Sequence, residues 1–521
     1  MLSHTITGIG DGDVFDNSTA LNASLVTDDQ RAGLYIFGQN RHRSAYDHDG
    51  DGYSEIPKLH GQTIGFRSFL KTTTYSKLTF EYHHMEEFRR GGDLLNRPPH
   101  EANVAEQTEH SINGGGLKFD YFSPNENHRF NVFASAQHIN RDSYYGPGDR
   151  DPLDAYGNTT DLNWMAGSQY VYSFGKCIFM PSDLTAGIEF NQDKLEDNMW
   201  GYNRTVDQKV NIGSAFLQNE WKNDHWGFLI GGRLDKHNLI NHVIFSPRAN
   251  LRYNPTENIN LRFSYSSGFR APQAFDEDLH VENVGGNVAM VELADNLKEE
   301  RSQSLSASAD IYHRFGAFQV NFLVEGFYTK LSDVFALTDG EVVDGILTRT
   351  RHNASGAQVM GLTLEGKMAY LNKIQVQAGV TLQQSHYSKP HIWNKEAPAV
   401  KKMMRTPNTY GYFTATYTPI KPLSIALSGT YTGSMLVPHE PVPGFLENPI
   451  TVNTKDFFDI GLKAAYDFKL YKSMNLQLNA GIQNIFNAYQ DDFDKGADRD
   501  SGYIYGPSLP RSFFAGVKIS Y

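Results

Sequence analysis

Residues 474–521 read MNLQLNAGIQNIFNAYQDDFDKGADRDSGYIYGPSLPRSFFAGVKISY, and the fold turns on how this last stretch is read. Met474, Leu476, Leu478, Ala480 and Ile482 alternate with Asn475, Gln477, Asn479, Gly481 and Gln483. After a long polar segment, Phe513, Ala515, Val517, Ile519 and Tyr521 alternate with Phe514, Gly516, Lys518 and Ser520. A period of two sends each set to its own face of a β-strand, one face apolar and one mostly polar. A lone hairpin is marginal in water, so this one must close a larger sheet.

The same alternation recurs upstream. Leu78, Phe80 and Tyr82 oppose Lys77, Thr79, Glu81 and His83, and Ile259, Leu261, Phe263 and Tyr265 oppose Asn260, Arg262 and Ser264. Trp226, Phe228, Ile230 and Leu234 form a third row, with Gly232 in the fourth place. No comparable stretch keeps a 3.6-residue period, so the chain reads as nearly all β. Its connections alternate in length. Short ones carry turn residues, as at Asp28–Asp29, Thr73–Ser76, Pro124–Asn127, Asn223–Asp224, Asn372–Lys373 and Tyr471–Ser473. Long ones fall between them, near 44–62, 88–114, 143–163, 196–210, 269–301, 334–356, 388–407, 436–456 and 489–510. The interval at 241–243 is short where a long one is due. Ile346–Arg351 reads as a hairpin extension inside a loop.

Short turns on one side and long loops on the other mark a transmembrane antiparallel β-barrel of the outer-membrane type. The bulk numbers agree. The 521 residues are 40% hydrophobic and 13% aromatic, with 46 glycines for turns. No run approaches the roughly 18 apolar residues of a membrane helix. The mean hydropathy of −0.48 suits strands that are apolar on one face only. A net charge of −12 argues against a nucleic-acid partner. The single cysteine, Cys177, excludes an internal disulfide. Residues 1–30 show no basic start with an apolar core, hence no secretory signal.

About 21 strands can be placed from residue 19 onward, whereas such barrels close with an even number. Loop sidedness puts the missing strand before residue 19. Residues 1–18, rich in Gly and Asp, read as a residual segment and 19–521 as the barrel. The expectation is an unpaired edge on Arg511–Tyr521 and a barrel of about 22 strands short of its first.

Two local features point to ligands. Asp47-His48-Asp49-Gly50-Asp51-Gly52-Tyr53-Ser54-Glu55 matches the start of a calcium loop. Acidic oxygens stand at positions 1, 3 and 5 and Gly at 6, with the Tyr53 carbonyl and Glu55 to follow. Position 12 is Lys58 where an EF-hand needs Glu, so the alternative is a solvated acidic turn. Tyr144-Tyr145-Gly146-Pro147 and Tyr503-Ile504-Tyr505-Gly506-Pro507 place aromatics in presumed outer loops. They can stack on a bulky ligand, brace the loops against one another or continue the interfacial aromatic belt. Catalytic constellations are lacking. His100-Glu101 has no second histidine at metalloprotease spacing, and Gly8, Gly10 and Gly12 neither follow a strand nor open a helix, so they read as a flexible turn.

Across most of its length the chain resembles the barrel of TonB-dependent outer-membrane transporters. The resemblance rests on the final GIQNIFNAYQDDFDKGADRDSGYIYGPSLPRSFFAGVKISY, on NLRFSYSSGFRAP (260–272), on LADNLKEERSQSLSASADIY (293–312) and on FSPRANLRYNP (245–255). In the third, a family run of Asn-Pro-Asp-Leu-Lys-Pro-Glu is matched only at Leu297, Lys298 and Glu300. The resemblance implies a 22-strand barrel in the outer membrane of a Gram-negative bacterium, lacking here its signal peptide and plug. It implies a non-enzymatic receptor for a bulky metal chelate, namely a ferric siderophore, haem or cobalamin. Partners would be outer-membrane lipid, a surface lipoprotein and, given a plug, the TonB energy complex. Without the plug, energised uptake should fail. In haem-transporting members a loop histidine can ligate iron, which singles out His280, set among Asp276, Glu277, Asp278 and Glu282. The remaining alternatives are a passive porin-like or remnant barrel and a secreted β-rich carbohydrate-binding protein.

Overall fold

The computed structural model describes residues 1–147, 155–284 and 287–521, the side chains of 147, 276, 282–284 and 287 excepted. Within them, 22 antiparallel strands close into one barrel, each paired with its sequence neighbour in the wall. A further short strand, Val400–Lys402, pairs only with Ile374–His391 and lies outside the ring.

The expected open edge is absent, and the missing strand is the chain's own start. Leu2–Ile9 pairs with Val14–Val26 on one side and with the last strand, Ser512–Ser520, on the other. Its register to the last strand is continuous, from Leu2 opposite Ile519 to Ile9 opposite Ser512. Two features hid it. The strand is eight residues long, and His4 and Gly8 interrupt its apolar row of Leu2 and Ile6. The loop after it, Gly10–Asp13, is a short connection on the outer side, where a long one is expected. Gly10 and Gly12 take φ of 62° and 96°, a region that favours glycine. A Cβ on Gly10 would also meet the Tyr46 ring at 2.7 Å.

The two faces of the wall follow the alternation. Leu2, Ile6, Phe15, Leu21, Phe513 and Ile519 point outward and are exposed, as a lipid-facing row should be. Aromatics gather near the short turns. Trp226 stacks on Tyr253 at 4.2 Å, and Phe179 stacks on Trp221, whose indole N–H donates to the Cys177 carbonyl at 3.0 Å. Such rings suit the interface between hydrocarbon and water.

Strand length differs around the ring. Tyr156–Cys177 has 22 residues and Ser54–Thr73 and Met180–Met199 have 20 each, against 10 for Leu423–Thr432 and Met474–Gln483. About 9–11 tilted residues cross a bilayer. The turns on the inner side are tight, so the surplus of about ten residues projects outward, roughly 30 Å at about 3.3 Å each. Much of what reads as loop in the sequence is therefore wall. The expected loop at 88–114 shrinks to 93–103, and that at 196–210 to 200–203. Above the membrane both faces are wet, so backbone pairing continues while the apolar alternation stops.

The hairpin expected within loop 334–356 is present. Phe335–Val343 pairs with Ile346–Asn353, which runs parallel to Asn287–Leu293. This plate leans on the tall wall: Val281, Val288 and Met290 pack with Tyr144, Tyr145, Met199 and Tyr202.

The seam is tightly fitted. A Cβ on Gly516 would come 2.9 Å from Thr5 Oγ1 and 3.1 Å from the Asn479 amide. Gly516→Val should destabilise the barrel by about 1–3 kcal/mol, and Thr5→Ala should restore part of the loss. Urea unfolding in detergent, read by the heat-sensitive mobility of the folded band, measures both.

Candidate vestibule on the outer side

The tall wall, the segment after Arg270 and the last long loop line a cavity of about 720 Å³. The wall contributes Glu55, Glu87, Arg89, Glu106, Arg141 and Tyr145, the segment after Arg270 contributes Glu277 and His280, and the last loop contributes Phe493, Arg499 and Tyr503. A larger, shallow recess of about 870 Å³ is lined by Phe263, Leu305, Met360, Leu362 and Leu382. Several of its residues belong to the exposed apolar row of the wall. Acyl chains would fill that recess, so the vestibule is the place for a polar ligand.

Several residues singled out in the sequence meet here. Tyr145, Tyr503, His280, Tyr53 and Glu55 all line the cavity. His280 Nε2 lies 2.7 Å from Glu106 Oε1, and its ring meets the edge of Tyr145 at 5.1 Å. Tyr503 stacks on His439 at 3.8 Å, nearly parallel, and donates its hydroxyl to Asp492 at 2.9 Å. Their neighbours brace instead. Tyr144 is fully buried against Tyr156, and Tyr505 packs on Phe457 and donates to the same Asp492 carboxylate at 2.6 Å. Alternation explains the split at 144–145, because adjacent strand residues face opposite ways. Burial, then the Asp492 carboxylate, holds the protons of Tyr503 and Tyr505 well above the usual phenol range. The side chains of Asp276 and Glu282 lie outside the described residues.

The acidic loop is clasped by cations of the chain. Side-chain oxygens of Asp47, Asp49 and Glu55 converge within 4.8 Å of one another. Asp51 turns away from them to Arg499. Arg499 also reaches Glu55 Oε1 at 3.0 Å and lies over the Tyr53 ring at 4.7 Å. The Gly496 N–H donates to Asp51 at 2.8 Å, and Lys495 stands 3.4 Å from Asp49. Burial raises the Asp51 pKa, but the N–H groups of Gly496 and Tyr53 together with Arg499 outweigh it and hold the carboxyl low. Tyr489 and Phe493 sandwich the clasp through His48, with centroids 4.9 and 5.8 Å away. One converging oxygen from each carboxylate supplies three of the six to eight that calcium prefers. Arg499 and Lys495 supply positive charge at the same point. The loops joined here flank the four-residue Gly10–Asp13 connection and close over it. No local pattern announces Arg499, since its partners lie more than 440 positions upstream.

A second polar cluster ties the last loop to its neighbours. Arg349 binds both Asp339 at 3.0 Å and Glu440 at 2.8 Å, and Asn394 donates to both acids. The Glu440 N–H donates to Asp500, and His439 Nε2 lies 2.9 Å from Asp494.

The fold defines a transmembrane β-barrel with a vestibule on one side. Residues 6–485 match the family model described as "TonB dependent receptor-like, beta-barrel", and the chain belongs to that family. Solved structures agree on the fold. The siderophore receptor PirA from Acinetobacter baumannii is 15% identical, with a TM-score of 0.76 over 100% of this chain and 80% of its own. A mutant of the ferric enterobactin receptor PfeA from Pseudomonas aeruginosa is 15% identical, with a TM-score of 0.73 over 99% of this chain and 79% of its own. The ferric-catecholate import receptor Fiu from E. coli is 13% identical, with a TM-score of 0.70 over 99% of this chain and 81% of its own. No curated protein matches the chain.

Glu440 gives the loop cluster a pH dependence. Burial, then Asp339, pushes its carboxyl up from 4.5 to about 7, against the pull of Arg349. The native loops keep a proton that the unfolded chain releases, so the cluster is firmest in acid and loosens as pH rises through about 7. Hydrogen exchange of residues 436–456 should quicken between about pH 5 and about pH 8 beyond the intrinsic amide rate, and Glu440→Gln should flatten that change.

Proposed function

We propose that the protein captures a bulky metal chelate at the outer face of a Gram-negative outer membrane and passes it inward. The observation that carries this reading is the vestibule, walled by strands that outrun the membrane and floored with aromatic and polar side chains. Its volume of about 720 Å³ falls within the range of small-molecule sites. Of the solved structures above, PirA is a siderophore receptor and the others are receptors for ferric enterobactin and ferric catecholate, which supports a ferric siderophore over haem or cobalamin.

The residues divide the work. Tyr145 and Tyr503 present ring surface, His280 and Glu106 present a polar pair at the rim, and the Arg499 clasp sets the distance between two loops. Outer-membrane lipid contacts the apolar rows. Inward release needs work delivered to an element within the lumen, so an energy-coupling complex of TonB type would act on a plug segment and not on this wall. A surface lipoprotein would approach over the loops.

Refolded protein in detergent should retain radiolabelled iron presented as a siderophore complex. Tyr145→Ala should weaken retention about ten-fold, the equivalent of about 1.4 kcal/mol. Retention of no iron complex, combined with a steady large conductance in planar bilayers, would instead make the protein a passive pore.

A further inference from the structure

Below the vestibule, three arginines of the lumen wall stand without acidic partners. Arg248 and Arg252 lie on Ile244–Thr256 and Arg262 on Ile259–Arg270, the last two close to the tight inner turn between these strands. Phe245, Leu251, Leu261 and Phe263, at the alternate positions, belong to the exposed apolar row. The three guanidinium groups therefore face the lumen. Arg252 and Arg262 are register partners. Side chains so placed start about 5 Å apart, and like charges there repel.

Neutral groups, or none, hold these cations. Arg252 donates through Nη2 to the Asn223 carbonyl at 2.9 Å, while its buried Nε makes no hydrogen bond. Arg262 Nε donates to the Asn260 side-chain oxygen at 2.7 Å. Exposed Arg248 makes no hydrogen bond or ion pair among the described residues. Carboxylates stand in the neighbourhood, Asp224 and Glu257 on inner turns and Asp310 and Glu325 on the next two strands. Among the described residues none forms an ion pair with the three. Asp310 instead accepts from the Tyr312 hydroxyl at 2.9 Å and from Asn321. The contrast with other parts of the lumen is plain: Arg41 pairs with Asp16, Lys118 with Asp120, Lys222 with Asp183 and Lys367 with Glu365.

The wall around the arginines is low. Gly227 and Gly231 are the register partners of Arg252 and Arg248 on one side, and Ser266 and Ser308 those of Arg248 and Arg262 on the other. Such small neighbours leave the guanidinium forks open to the lumen. Two planar forks side by side can grip anionic oxygens bidentately, and an anion between them cancels their repulsion.

We propose that Arg252 and Arg262, with Arg248 above them, form an oxyanion site low in the lumen that receives the negatively charged oxygens of the chelate on its way inward. This rests on the chelate-uptake reading and narrows it to complexes that carry net negative charge, such as ferric citrate or a ferric tricatecholate. The vestibule captures; the luminal arginines give the anion its next resting place.

The test uses the full chain in detergent, with citrate alone and three complexes of radioactive iron as probes: ferric citrate, a ferric tricatecholate and a ferric trihydroxamate. Citrate should bind the parent chain, and joint Arg252→Gln and Arg262→Gln substitution should weaken it about ten-fold or more. Both anionic complexes should lose affinity in that variant. They should lose it again as salt rises from about 50 to about 500 mM, because screening weakens open ion pairs. The trihydroxamate, uncharged or singly positive, should respond to neither change. The variant removes a repulsion, so its heat-sensitive band should melt no earlier than the parent's, which separates lost binding from lost folding. The ferric citrate and tricatecholate arms distinguish carboxylate from phenolate oxygen as the preferred group. Equal retention of the anionic complexes by parent and variant would overturn the luminal site and leave chelate uptake standing. Arginine-dependent citrate binding with no iron complex retained would contradict chelate uptake, and with it the route assigned to the site. If neither citrate nor any complex binds, both readings fail.

Discussion

Everything in this molecule depends on the pairing of its first eight-residue strand with its last. A sheet in hydrocarbon has no water to satisfy its edge, so each free N–H and C=O there costs several kcal/mol. Leu2–Ile9 removes both edges at once, by taking Ser512–Ser520 on one side and Val14–Val26 on the other. Once the ring is closed, alternation gives a lipid face and a wet face. The outer loops are then held at fixed positions around one rim.

The rim is uneven, and that unevenness produces the vestibule. Strands in the first half overshoot the membrane by about ten residues, while several in the second half barely cross it. The plate formed by the segments around 287–293 and 335–353 leans from the low side onto the high wall through Val288, Met290 and Tyr144. The last long loop comes in over the short Gly10–Asp13 turn and is pinned by Arg499 to Asp51 and Glu55. Surface ion pairs are weak as a rule, but this one is largely buried, bidentate across two acids and backed by the Tyr53 ring. It acts as a geometric tie between two loops.

The barrel itself was legible in the sequence because the membrane imposes a rule on every strand it contacts. Met474–Gln483 and Phe513–Ile519 obey that rule openly. Leu2–Ile9 obeys it too weakly to be noticed, since a short strand before a four-residue outer turn breaks the rhythm of long and short connections. The upper wall was illegible for the opposite reason: residues such as Glu106, Thr108 and His110 stay paired where no apolar face is required. Within the site, Tyr145, Tyr503 and His280 could be picked as loop aromatics and a loop histidine. That Tyr144 and Tyr505 brace while their partners line the cavity depends on which way each residue faces. Arg499 could not be found at all, because its meaning comes from closure of the ring.

Closure is therefore the claim on which the rest stands. Ile6 and Ala515 are register partners across the seam, and antiparallel partners lie about 4.5–5.5 Å apart at Cα, within the window for a disulfide. With Cys177 replaced by Ser, the doubly substituted chain Ile6→Cys, Ala515→Cys should be oxidised in detergent and run on a denaturing gel before and after reduction. A closed barrel predicts a fast-migrating, reducible monomer in which the first and last strands are linked. Absence of that link, with cross-linked dimers in its place, would show that the first and last strands do not meet.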